Sequence, residues 1–372
     1  MTDMKSSKYE LDTPCLTIDI DVLNDNLAKM QAAVQAAGKN LRPHAKTHKC
    51  SLLAREQIRA GAVGICAAKI SEAEVLADAG VPGILVTGPV VTGPKIECLA
   101  AVLEKDPTVM VVVDHPANVH NLNEAMQARG ITLDVLLDID VGLGRTGVRP
   151  ESALELAEHI VHANNLRLRG IQAYAGFVQH IQAYSERKKA SLECMQRAAE
   201  VFVKLRKREP ACTIFSGTGT GTYDIDIQIA ELTELQVGSY AVMDAEYLNI
   251  AAHDDPASFS DFKPALTLLT TVVSVNQPEF VTVDAGLKSL YRHGGTPFVV
   301  TPGFTDLKYD WSGDEYGKLI RRENGKLPRL SAVLEVVTSH CDPTINLFDC
   351  FYITRGDAVI DRWPIDLRGK SQ

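Results

Sequence analysis

Eight short apolar runs, separated by stretches of helical texture, fill the first two thirds of this chain and restrict its fold more than any other feature. They lie at 41–44, 64–67, 84–87, 109–113, 133–139, 168–174, 213–215 and 235–237. Continuous apolar runs of this length suit strands buried on both faces, as in parallel sheets. Between them, 51–60, 71–79, 151–163 and 190–206 read as amphipathic helices. The second of these stops at Gly80, with Pro82 close behind, a helix-terminating pair. Strand and helix alternating eight times predict an α/β fold, a (β/α)8 TIM barrel. A doubly wound open sheet is the competing arrangement, disfavoured by the strand count and by the lack of GxGxxG after the first strand.

Beyond about residue 250 the texture changes. The segments 265–275, 280–283, 298–301, 332–338 and 351–359 are rich in β-formers, broken up by Pro, Gly and Asp, and no long helical pattern remains. The barrel is therefore placed at 20–250 and an all-β domain at 251–372, which residues 1–19 are free to join. A length of 372 residues accommodates a barrel of roughly 250 residues plus such a domain.

Composition narrows the class of partner. With 45% hydrophobic and 23% charged residues the chain reads as globular rather than disordered. A net charge of −9 argues against a duplex-binding surface. No apolar run approaches the roughly 20 residues of a membrane span, and the opening MTDMKSSKYELDTP lacks the apolar core of a signal peptide. A cytoplasmic protein without nucleic-acid or membrane partners is expected. The eight cysteines are scattered and form no CxxC pair, which fits thiols in a reducing compartment. Cys341 and Cys350 read as small buried residues rather than as metal ligands.

Five clusters carry groups capable of chemistry. Arg42-Pro43-His44-Ala45-Lys46-Thr47-His48-Lys49 closes the first strand, at the face where barrel enzymes place their reacting groups. Flanking cations and partial burial would raise the amine fraction of Lys46, as a Schiff base requires. From spacing alone the cluster fits a solvated basic turn better. Ser216-Gly217-Thr218-Gly219-Thr220-Gly221-Thr222 follows the seventh strand, and Gly238-Ser239-Tyr240 the eighth. Small residues after strands seven and eight match the usual phosphate position of barrels, offering open backbone N–H groups and hydroxyls. A flexible turn explains either loop alone but not the pairing. After the fifth strand come Asp138, Asp140 and Arg145. Arg145 suits a contact to a cofactor ring or oxygen, or an ion pair with the aspartates. Tyr174 ends the sixth strand, with Gln179 and His180 beyond. It could pack on a flat cofactor, although core packing is the ordinary role. Finally, His340 and Asp342 are two apart, so on an extended segment they share a face. Imidazole with carboxylate suits Mn2+, Mg2+ or Zn2+, and a hydrogen-bonded turn is the plainer alternative.

Read together, RPHAKTHK, LDIDVGLGRTGV, the Gly/Thr loop, VGSYAVMD and HCDPTINLFD resemble the D-threonine aldolase and eukaryotic-type D-serine dehydratase family, which stands with alanine racemase among the fold-type III pyridoxal 5′-phosphate (PLP) enzymes. The resemblance runs from Asp12 to the His340 motif. It implies that Lys46, rather than Lys49, carries PLP as a Schiff base. It implies that Gly217, Thr218, Gly219, Thr220, Gly238, Ser239 and Tyr240 hold the phosphate, and that Arg145 and Tyr174 line the ring. His340 and Asp342 match the pair that holds a divalent metal beside a small D-amino acid substrate, with His340 taking part in catalysis. A head-to-tail homodimer is also implied.

Aldolase-like members resemble HxD at the metal pair and dehydratases HxC. His340-Cys341-Asp342 therefore favours retro-aldol cleavage of a D-3-hydroxy amino acid to glycine and an aldehyde. Dehydration of D-serine or 3-hydroxyaspartate, or cleavage of 3-hydroxyaspartate, is the alternative. One departure is Tyr316, which stands in Asp314-Glu315-Tyr316-Gly317 where many members resemble E-H-G. It puts in doubt any proton transfer assigned there.

Overall fold

The structure is a computed structural model that describes residues 7–322 and 325–372, so residues 1–6 of the N-terminal segment lie outside the description. Contacts divide the chain into two compact units. One comprises Lys29–Lys46, Leu53–Gly238 and Gly369–Gln372; the other comprises the chain up to Ala28, Thr47–Leu52 and Ser239–Arg368. The change of texture expected near 250 thus falls inside the second unit, because the segment from Ser239 packs with the later strands.

In chain order the strands are β1 (Cys15–Asp19), β2 (Asn40–Leu41), β3 (Ile65–Ala67), β4 (Ile84–Val86), β5 (Met110–Val113), β6 (Leu133–Ile139), β7 (Leu166–Ala173), β8 (Ile214–Gly217) and β9 (Glu234–Leu235). The last eight form one parallel sheet in the order β2-β9-β8-β7-β6-β5-β4-β3. Its two ends meet. A parallel bridge joins His44 to Cys66, flanked by N–H donation from Ala45 to Cys66 O (2.9 Å) and from Cys66 to Pro43 O (2.8 Å). All eight predicted runs are strands of this closed barrel. β3, β4 and β5 are apolar and buried at every position, as strands covered on both faces are, whereas β7 keeps Arg167 exposed. Cys66, Leu85, Met110, Val112 and Leu136 form one core cluster.

The helices between the strands are α1 (Ile20–Ala36), α2 (Ser51–Arg59), α3 (Ile70–Asp78), α4 (Gly93–Lys105), α5 (Pro116–Arg129), α6 (Ala153–Val161), α7 (Tyr184–Arg208) and the short α8 (Tyr223–Asp226). None of the described helices is long and apolar enough to cross a membrane.

The second unit holds α9 (Ala245–Leu248), α10 (Cys341–Ile345) and the strands β10 (Leu266–Ser274), β11 (Phe280–Val283), β12 (Phe298–Val299), β13 (Lys308–Trp311), β14 (Gly317–Ile320), β15 (Val333–Val337), β16 (Cys350–Arg355) and β17 (Ala358–Pro364). The order β11-β14-β13-β12-β15-β10 closes through β10–β11 pairing, and β1, β16 and β17 extend it. β1 lies antiparallel to β10 and parallel to β16. The run read as one strand at 351–359 is a hairpin, turned at Gly356, whose φ of 57° is open to glycine at little cost.

Candidate active site

The parallel barrel brings several predicted residues to the C-terminal ends of its strands, since every strand runs the same way. Lys46 lies in the turn that follows β2 and is partly buried. Its backbone N–H donates to His44 Nδ1 (3.3 Å), while His44 Nε2 meets Thr87 Oγ1 (3.1 Å). Nδ1 is therefore the acceptor, so a neutral His44 carries its proton on Nε2. Thr87 Oγ1 in turn donates to Ala67 O (3.2 Å). The chain fixes the turn through these directional bonds.

Arg42 departs from expectation. It points away from any role as a cationic neighbour and forms a two-point ion pair with Glu234, both contacts at 2.8 Å and both side chains buried. It also donates to Gly83 O. Its charge is paired inside the barrel.

The loop after β8 is tightly packed rather than flexible. Thr218, Thr220 and Thr222 are buried. Gln179 accepts from Gly221 N (3.1 Å) and donates to Thr222 Oγ1 (3.0 Å), and the fully buried Arg187 donates to Gly221 O (2.7 Å). A Cβ at Gly221 would strike Gln179 O, and one at Gly219 would strike the Gln179 amide, so both positions require glycine for close approach. Thr218 Oγ1 (3.0 Å) and Thr222 Oγ1 (2.6 Å) donate to Asp226. The protons of these two hydroxyls are thus committed. Among the described residues nothing accepts the Gly219 N–H.

Burial pushes Asp226 up to about 6, against the lowering effect of its hydroxyl donors. Asp138, at the end of β6, is pushed by burial to about the same value, opposed by donors Gln172 (3.0 Å) and Thr146 (2.9 Å). Gln172 also donates to Thr87 O (3.1 Å), which ties the Asp138 end of the barrel to the residue that holds His44.

Arg145 and Tyr174 meet: the guanidinium carbon lies 5.8 Å from the ring centroid, a cation–π arrangement. Arg145 is exposed and does not pair with the neighbouring aspartates, whereas Asp140 caps its own loop through Gly142 N (2.9 Å) and Gly144 N (3.0 Å). Gly238 ends the barrel unit. Ser239 and Tyr240 open the other unit, where the Tyr240 ring is fully buried edge-on to Phe262, with centroids 5.7 Å apart.

In the second unit His340 precedes α10. Its Nδ1 lies 3.0 Å from Asp244 Oδ2 and 3.2 Å from Glu246 Oε2. Asp244 is fully buried and also accepts from Cys341 N (2.9 Å) and Tyr247 N (3.1 Å), so it caps α9 and orients the imidazole together. Burial disfavours the His340 cation. The Asp244 hydrogen bond and the charges of Asp342, Asp244 and Glu246 outweigh that, and His340 is pushed up to about 9. Engagement of Nδ1 leaves Nε2 as the nitrogen available to a ligand, an arrangement like that in which a carboxylate orients a metal-binding histidine. Asp342 Oδ1 is buried and accepts no hydrogen bond. These two atoms fit a divalent cation, although no group of three or more His, Cys, Asp or Glu suited to a metal occurs among the described residues. Cys341 is not a ligand candidate: its thiol is buried, donates to Met243 O (3.1 Å), and is held well above the ordinary thiol range by burial. All eight cysteines are free, as expected. Tyr316 is exposed, immediately before β14.

Sequence reasoning missed Asp226, Asp244, Gln172 and Arg187. Asp244 stood inside a quoted motif, VGSYAVMD, and was the most findable of them.

The family described as alanine racemase, N-terminal domain, matches residues 18–246, and that described as putative serine dehydratase domain matches 265–354. The chain is 38% identical to a D-threonine aldolase of Arthrobacter sp. over 97% of its own length and 94% of the relative's. It is 37% identical to a 3-hydroxy-D-aspartate aldolase of Paracoccus denitrificans (strain Pd 1222), over 97% and 93%. A crystal structure of D-threonine aldolase from Filomicrobium marinum superposes with a TM-score of 0.93 at 35% identity, covering 100% of this chain and 99% of that one.

Proposed function

Because the chain belongs to the alanine-racemase-like family of D-threonine and 3-hydroxy-D-aspartate aldolases, we propose that it is a PLP- and divalent-metal-dependent carbon–carbon lyase acting on a D-3-hydroxy amino acid. The observation that carries the reading is within one barrel. Lys46, at the C-terminal end of β2, shares a strand-end face with a backbone N–H loop at the C-terminal end of β8. An amine and an anion cradle on one face suit an aldehyde-bearing phosphate ester.

Lys46 would hold the cofactor through its amine, with the His44–Thr87 chain fixing the turn. The Gly217–Thr220 backbone and Gly238, Ser239 and Tyr240 would receive the phosphate, and Arg145, braced on Tyr174, would face the ring. Bound PLP supplies an electron sink for the pair released when a bond to Cα breaks. His340 Nε2 and Asp342 would hold the metal, Mn2+ or Mg2+ before Zn2+, which lowers the pKa of a bound hydroxyl. Asp244 keeps the imidazole oriented throughout. Cleavage would take the proton from the 3-hydroxyl, break Cα–Cβ to release an aldehyde, and return a proton to Cα to give glycine. Asp342 at the third motif position supports cleavage over dehydration, and the serine dehydratase domain match keeps dehydration as the second reading. A cytoplasmic head-to-tail homodimer completes the proposal.

The test is to incubate the purified protein with PLP, Mn2+ and D-threonine and identify the products by mass spectrometry. Glycine with acetaldehyde is expected. Ammonia with 2-oxobutanoate would place the protein among the dehydratases.

A further inference from the structure

Asp226 is almost fully buried and accepts three hydroxyl hydrogen bonds, from Ser191 (2.6 Å), Thr222 (2.6 Å) and Thr218 (3.0 Å). A carboxylate is a demanding choice near a loop that is to receive a phosphate dianion, since its charge opposes the ligand. Its advantage is that it is an acceptor only, with room for several donors at once. An amide has one oxygen, and its NH2 would face hydroxyls already committed to donating.

The loop needs that capacity. Thr218 has φ 79°, in the left-handed region that a β-branched residue enters only when its surroundings force it. On the α7 side, Arg187 and Gln179 fix Gly221. On the β8 side, the Thr218 hydroxyl bond to Asp226 is the anchor for the strained residue itself. Thr218 immediately precedes Gly219, whose N–H has no acceptor among the described residues.

We infer that Asp226 is a positioning residue for the cofactor phosphate: by taking the Thr218 and Thr222 hydroxyls, it holds the loop backbone in the conformation whose N–H groups receive the dianion. The inference rests on the reading that PLP binds in this barrel. It assigns Asp226 no contact with the ligand. Ser191, on α7, supplies the third donor and reduces the charge the carboxylate presents.

The experiment titrates the full-length protein with PLP and, separately, with pyridoxal, which has the same aldehyde but no phosphate. Binding is followed by the absorbance change that each gives with Lys46. In the wild type, PLP binds more tightly than pyridoxal. Asp226→Asn lowers PLP affinity by about tenfold or more and leaves pyridoxal affinity unchanged. Thr218→Val, which keeps the side-chain shape and removes the hydroxyl, does the same. Thr218→Ser restores the wild-type preference. The inference is overturned if Asp226→Asn and Thr218→Val keep the wild-type preference, or if Thr218→Val loses both ligands alike. Should Asp226→Asn fail to fold, the Thr218 pair decides. A wild type that does not prefer PLP to pyridoxal would instead sink the underlying reading, so the two failures are distinguishable.

Discussion

The loop after β8 and the turn that opens α10 both enclose buried carboxylates, yet they use them in opposite ways. In the loop, Asp226 is saturated by three hydroxyls, and the Gly219 backbone N–H has no acceptor among the described residues. At α10, Asp244, Glu246 and Asp342 surround His340, and what remains is an imidazole nitrogen and an oxygen of Asp342. The first suits an anion and the second a cation. A buried aspartate therefore has no fixed meaning. The donors it already accepts decide whether it braces a site or presents a ligand atom.

If the proposed function holds, this contrast divides the work, with cofactor retention on the barrel side and turnover on the α10 side, and substitutions can break it. Lys46→Ala should abolish cofactor absorbance and lower turnover by on the order of 10⁶-fold, the scale seen on removing a covalent catalytic group. Asp244→Asn should lower metal affinity or activity by about 10–100-fold, as loss of a partner behind a metal-binding histidine does, with cofactor absorbance intact. His340→Ala should lose at least as much turnover and keep the absorbance. Loss of cofactor in either α10-side variant would break the division, and full activity of His340→Ala without added metal would remove the metal from the account.

Stability offers a smaller effect. Asp138 and Asp226 are both held at about 6, above the ordinary carboxylate value of 3.8. The folded state binds more protons than the unfolded state between these values. The stabilisation is complete below about pH 4 and is lost as pH rises through about 6. Asp138→Asn should remove its share, on the order of 3 kcal/mol across that window, read as a flatter dependence of the urea midpoint on pH. An unchanged slope would contradict its buried, desolvated setting. The smallest effect is at Asp366, which accepts from Ser51 N (2.9 Å) and the Ser51 hydroxyl at the start of α2. Asp366→Ala should cost about 1 kcal/mol in thermal unfolding, as for a lost helix cap.

How much was legible in the sequence follows from burial. β3, β4 and β5 announced themselves because every position is buried, so they read as unbroken apolar runs. β13 and β14 did not, because KYDW and GKLI alternate buried and more exposed positions over four residues. β17 was merged with β16 because the hairpin between them turns on a single Gly-Asp pair. In the site, Lys46, the Gly/Thr loop and the His340 motif were visible as local patterns. Asp226 and Asp244 were not given roles, because their roles come from partners up to 35 and 97 residues away in sequence. Arg42 misled for the same reason, since its partner Glu234 is 192 residues distant.

The most direct test of the central claim is to load the protein with PLP, reduce it with borohydride, digest it and map the modified lysine by mass spectrometry. The account predicts the reduced cofactor on Lys46, in the turn after β2. A label on Lys49, on a lysine elsewhere, or on none would contradict it.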